Sequence, residues 1–223
     1  MTSANAANPV FEPILAELSE QHRDEVLAAL AAVEHSAHPV PEAQMLALRD
    51  ATLRRVLQRL LYRVGRTLVP VGDAQWTSGY RDDIAAELTA EGWNALPVID
   101  RAVLVLVLIH SVAIPRSQGI LSGDSWISAR PTPADELLRY AQLGKGDVRA
   151  ALQRLRAAGL VQLAPTRGQG SAGGPAYLPG PQLHRLTPMA RHALQQELIL
   201  AAAPHSPLAA AIRARRAHPR GER

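Results

Sequence analysis

The stretch Gly144-Lys145-Gly146-Asp147-Val148-Arg149-Ala150-Ala151-Leu152-Gln153-Arg154-Leu155-Arg156-Ala157-Ala158-Gly159-Leu160-Val161 decides the reading of this chain. Val148, Leu152 and Leu155 fall at i, i+4 and i+7, the spacing of a helix that packs along one seam. Arg149, Gln153 and Arg156 repeat that spacing about a quarter to a third of a turn away, on the solvent side. The pattern predicts a helix over 147–158, stopped by Gly159 and followed by a strand at Gly159–Leu163. An arginine fork can pair with guanine O6 and N7 or with phosphate, and a glutamine amide can pair with adenine. That is the inventory of a helix that reads a DNA groove. The plain alternative is the solvated face of an ordinary helix.

The flanking sequence extends the pattern. Upstream, Thr132-Pro133-Ala134-Asp135-Glu136 predicts a helix start: Thr132 as cap, Pro133 at the first position, and two carboxylates at the positive end. That helix carries Leu137, Leu138 and Ala141 and stops near Leu143-Gly144, so two short helices flank a glycine turn. Downstream, Pro165–Pro181 is rich in glycine and proline, and Leu183-His184-Arg185-Leu186-Thr187 is predicted to return as a second strand. Thr187-Pro188 then caps a closing helix through Leu200. Trp126-Ile127-Ser128 is a candidate for a small first strand.

Taken together, Val148–Val161 and Leu186-Thr187-Pro188 resemble the MarR/PadR-type winged helix-turn-helix superfamily, over roughly residues 98–200. The resemblance implies a small β-wing in a winged helix-turn-helix at 98–203; with the periodicity and charge of the flanks, the expected fold is mainly α, with a helical N-terminal region at 1–97 and a basic, disordered tail at 204–223. The resemblance also implies double-stranded DNA as the partner, with Lys145 and the start of the 147–158 helix in the major groove. Arg149 and Gln153 would face base edges, and Arg154 and Arg156 would meet phosphates. Arg167 on the wing and Arg185 on its returning strand would add contacts. Two departures from the minimal pattern stand out, the long 115–131 connection and the long wing tip at 167–174.

Charge supports a polyanion partner. Residues 1–100 hold 14 acidic and 8 basic side chains, a net of −6, and residues 101–223 hold 6 acidic and 16 basic, a net of +10. Lys145 is the one lysine among 24 basic residues, a skew that coding background explains, but background acts on both halves alike. There is no cysteine, which excludes disulfides and cysteine-based zinc sites and fits a cytoplasmic location. Met1–Pro9 lacks the layout of a secretion signal. The longest apolar run, Ala102–Ile109, extends at most to Ile114 and is too short for a bilayer span. A buried helix, a soluble chain and no membrane partner are therefore expected.

In the N-terminal half, 10–33 reads as one helix and 41–68 as a longer one, with Leu46, Leu53, Leu57, Leu60, Leu61, Val64 and Leu68 as its stripe. Arg55, Arg59, Arg63 and Arg66 form a second stripe, read as salt bridging to the acidic first helix or solvation in preference to a nucleic-acid role. Residues 72–79 read as a loop and 82–90 as a short helix. No second wing and no internal repeat is expected here. A leftover apolar face on these helices suits a homodimer, which would match paired half-sites on DNA.

Enzyme motifs fail. Leu143-Gly144-Lys145-Gly146 lacks the earlier glycine and the following Ser/Thr of a phosphate loop. His35 and His38 precede Pro39 without a metal-ligand pattern, and nothing resembles a nucleophile elbow or a paired-carboxylate site. No enzyme activity, cofactor or metal is expected. Two further readings stay open: a ligand-sensing regulator, and a winged-helix accessory subunit within a larger protein complex. The latter would resemble the accessory chains of chromosome-organising ATPases in size.

Overall fold

The computed structural model describes residues 9–93, 96–121, 130–165, 174–202 and 204–217. It is mainly helical with two small antiparallel sheets, and it divides into two compact units. The first unit is residues 1–93 with 184–187; the second is 94–183 with 188–223.

The first unit opens with α1 (Glu12–Leu15) and α2 (Glu20–His35). Sequence periodicity runs these together as one helix. The chain breaks between them because Ser19 caps α2, its hydroxyl accepting from the His22 amide. After β1 (Val40–Pro41) and a short 3-10 turn come α3 (Leu46–Arg49) and α4 (Ala51–Arg63). The single long helix expected over 41–68 is thus corrected at both ends. Asp50 caps α4 by accepting from the Thr52 and Leu53 amides, both at 2.8 Å. Gly65, at φ +72°, turns the chain out of the helix. Leu53, Val56, Leu57, Leu60 and Leu61 form the buried face of α4, against Val26, Ala29 and Val33 of α2.

Residues 66–80 also differ from expectation. They form a hairpin, β2 (Arg66–Val71) and β3 (Gln75–Tyr80), joined by Gly72-Asp73-Ala74, with β1 added in the order β1-β3-β2. The segment looks like a loop because it is polar and glycine-containing. Its polarity is internal: Thr77 and Ser78 are buried, and the Ser78 hydroxyl donates to the Val33 carbonyl at 3.2 Å. Gly79 is demanded by close approach, since a Cβ there would lie 2.0 Å from the Arg185 carbonyl oxygen. A nine-residue helix, α5 (Asp82–Ala90), follows.

The second unit begins with α6 (Val98–Leu108), which continues through a π-helical stretch, Ile109–Ala113, into α7 (Ile114–Ser117). Pro115 explains the widened turn: it has no amide hydrogen to donate and its ring crowds the preceding carbonyls. The whole helix, Val98–Ser117, is 20 residues, long and apolar enough by length and composition to cross a membrane, which corrects the shorter reading of the run. Val103, Val107, Leu108, Val112 and Ala113 are buried inside the folded unit.

Next come β4 (Thr132–Pro133), α8 (Ala134–Ala141), α9 (Lys145–Ala157) and a second hairpin, β5 (Val161–Leu163) with β6 (Ala176–Pro179), in the sheet order β4-β6-β5. Thr132 and Pro133 are therefore strand residues, with Thr132 buried and paired across from Tyr177, where a helix cap was expected. The returning strand lies at 176–179, and Pro181–Arg185 is a 3-10 turn, which corrects the strand placed at 183–187. The candidate strand at 126–128 lies outside the described residues. The closing helix α10 runs Pro188–Ala202. The tail expected to be disordered forms α11 (Pro207–Ala217). Ser206 accepts from the Ala209 amide at its start, Ala209 and Ile212 are buried, and Arg216 pairs with Glu197 of α10 at 2.7 Å.

The two units share an element order that the sequence hides: helix, edge strand, helix, helix, hairpin, with the edge strand beside the last strand in each sheet. This corrects the expectation of no repeat and no second strand-bearing hairpin. Buried Leu53, Val56, Leu57 and Leu60 of α4 recur with the same spacing as Val148, Ala151, Leu152 and Leu155 of α9. In that register Arg54 answers to Arg149, Gln58 to Gln153 and Arg59 to Arg154, and Leu57 and Leu60 recur as Leu152 and Leu155.

Candidate functional site

The site is built on α9. Val148, Ala151, Leu152 and Leu155 are buried in a core with Val103, Val107, Leu137, Val161 and Tyr177, which fixes the helix from beneath. Gln142 bends the chain at φ +50°, and Gly144 starts the helix, so Lys145 is its first residue. Lys145, Arg149, Gln153 and Arg156 are exposed, and none makes a side-chain hydrogen bond or ion pair to a described residue. Gln153 and Arg156 lie along one stripe with Arg149, about 6 and 10 Å from it in rise. This is a row of free donors on a rigid support.

Arg154 is differently placed. Its Nε and Nη2 donate to the two oxygens of Asp100 at 2.9 and 2.6 Å. Asp100 sits on α6 and is 2 % exposed. The bidentate fork holds the Asp100 carboxyl below its ordinary value, working against burial, and raises the Arg154 guanidinium. Arg154 is a brace between α9 and α6, where a phosphate contact was expected of it.

Arg185 belongs to the first unit and faces inward. Nη1 donates to the Val33 and Ser78 carbonyls and to the Ser78 hydroxyl at 3.2, 3.1 and 2.9 Å. Nη2 donates to the carbonyls of Glu34 and Ser36 at 3.0 and 2.9 Å. Burial first, and then neighbouring Arg66, pull this guanidinium below its usual value. Arg185, of which a DNA contact was expected, forms a structural clasp on the carbonyl end of α2. Arg167 lies outside the described residues.

The sequence reading missed Arg139 and Tyr140, exposed at the end of α8 beside the turn into α9. Their signal was position alone: the last turn of the first helix of a pair. Tyr140 stacks on His110 at 5.0 Å, and His110 Nδ1 lies 3.3 Å from Glu136. Among the described residues no group of three His, Asp or Glu could hold a metal ion. The one stripe of cations in the first unit, on α4, is mostly solvated: Arg59 pairs with Glu17 at 3.1 Å, while Arg55 and Arg63 have no hydrogen-bonding or ionic partner among the described residues.

No family model matches the chain, and no curated protein matches its sequence.

Proposed function

We propose that the second unit is a winged helix-turn-helix whose α9 enters the major groove of double-stranded DNA, and that the protein is a cytoplasmic, homodimeric transcriptional regulator. One observation carries the reading: α9 is anchored by four buried aliphatic side chains and turns outward an unpaired row of Lys145, Arg149, Gln153 and Arg156. Arg149 and Gln153 are the base-reading pair, and Lys145 and Arg156 are suited to phosphate. Arg139 on α8 adds a backbone contact. No catalytic or cofactor role is proposed.

The test is binding of the purified chain to random-sequence DNA across a salt series, with Arg149→Ala/Gln153→Ala alongside. Affinity that falls steeply with salt, and further in the variant, is the expected result. No binding at low salt overturns it.

The repeated element order favours a second reading, an accessory subunit seated on a partner chain of a larger complex such as a chromosome-organising ATPase. Two successive units of one design offer a partner two similar docking faces. Co-purification with a long coiled-coil ATPase, together with absent DNA binding, would establish it.

A further inference from the structure

In the first unit, α5 is nine residues long and buries none of them. Helices this short are marginal in water without packing. Its Ile84 and Leu88 are mostly covered but neither is fully buried. Beside it, three large apolar side chains are open to solvent: Tyr62 at 60 %, Tyr80 at 47 % and Val64 at 45 %. They are neighbours at one junction. The Arg81 guanidinium lies 3.8 Å over the Tyr62 ring and also forks onto Asp83 at the start of α5, while Gly65 abuts Ile84. Contiguous exposed apolar surface of this kind marks a contact site.

The charges around the junction name the occupant. On α4, Arg55, Arg59 and Arg63 recur every fourth residue, all exposed. On α5 and its end, Asp83, Glu87 and Glu91 recur at the same interval, also exposed. Arg55, Arg63, Glu87 and Glu91 have no ion-pair partner among the described residues. The patch on the first unit is thus accompanied by exposed rows of both signs with equal pitch, a basic one on α4 and an acidic one on α5. Such a patch is complementary to itself, which is what a two-fold, isologous contact requires. DNA fits it less well: Asp50 already occupies the amino end of α4, and the acidic row would repel phosphate.

We infer that a second copy of this chain docks here, α4 of each copy lying against α5 of the other. This gives the proposed homodimer its interface, and it does not depend on whether α9 meets DNA.

The experiment is sedimentation velocity on the full chain and two charge-reversed variants, Arg55→Glu/Arg63→Glu and Glu87→Arg/Glu91→Arg. The wild type is expected to be a dimer at micromolar concentration. Each variant alone should dissociate about a hundredfold more readily, because like charges then face one another. Mixing the two variants should restore a dimer, which misfolded chains would not do. A monomeric wild type, variants that dimerise as tightly as wild type, or a mixture that stays monomeric would each overturn the proposal. Because the readout is mass, its failure is distinguishable from a failure of DNA binding.

Discussion

Arg154 closes a two-pronged hydrogen bond on Asp100, Nε to one carboxylate oxygen at 2.9 Å and Nη2 to the other at 2.6 Å. The carboxylate is buried and the guanidinium half-exposed, so the two partners are not equivalent. Removing the arginine strands a charge in the core, whereas removing the carboxylate leaves an arginine that water can solvate. Arg154→Ala is therefore expected to lower the unfolding midpoint more than Asp100→Ala, as measured by thermal denaturation at neutral pH.

The same pair sets a pH dependence. The folded Asp100 carboxyl titrates below its ordinary value of 3.8, so its contribution is fully present above that value. It is lost as pH falls through the lower folded value. Acid titration of stability should be shallower in Asp100→Asn than in wild type, and a parallel curve would show that the pair carries no such linkage.

Recognition and bracing should separate. Arg149→Ala or Gln153→Ala removes an exposed, unpaired side chain, so the unfolding midpoint should stay unchanged. DNA affinity should fall by about 1–3 kcal/mol, with preference relaxed at one base pair. Equal loss on every sequence would assign that side chain to phosphate. A fall in midpoint would show that the residue is structural after all.

Arg185 and Gly79 form one joint. Arg185→Ala gives up five hydrogen bonds to the end of α2 and to β3, and should cost about 3 kcal/mol in urea unfolding. Gly79→Ala forces a Cβ into the Arg185 carbonyl oxygen and should cost about 1–3 kcal/mol. The two effects should be less than additive, because either substitution loosens the same contact. Full additivity would mean that the two residues act independently.

Core anchoring of α9 is testable apart from its surface. Leu155 is fully buried, so Leu155→Ala should destabilise by about 2–5 kcal/mol. Far-UV circular dichroism at low temperature should still show a folded chain, and a loss near zero would place Leu155 outside the core.

What the sequence by itself determined lies where the information is local. The seam of Val148, Leu152 and Leu155, the stripe of Arg149, Gln153 and Arg156 and the 82–90 helix follow from helical period alone, which a short window contains. The structure keeps all of these. The tertiary structure decided what depends on distant partners. Gln75–Tyr80 is a strand because β1 and β2 flank it and because its glycine and serine meet Arg185 and Val33, contacts from far along the chain. Pro207–Ala217 had a legible start in Ser206-Pro207, yet its helix is anchored through Glu197 of α10, and its arginine content masked the signal. Arg154, Arg156 and Arg185 are indistinguishable as letters. Only folding gives the first a buried carboxylate, the third a ring of carbonyls, and leaves the second free, because a charge takes its role from whatever the fold brings within about 3 Å of it.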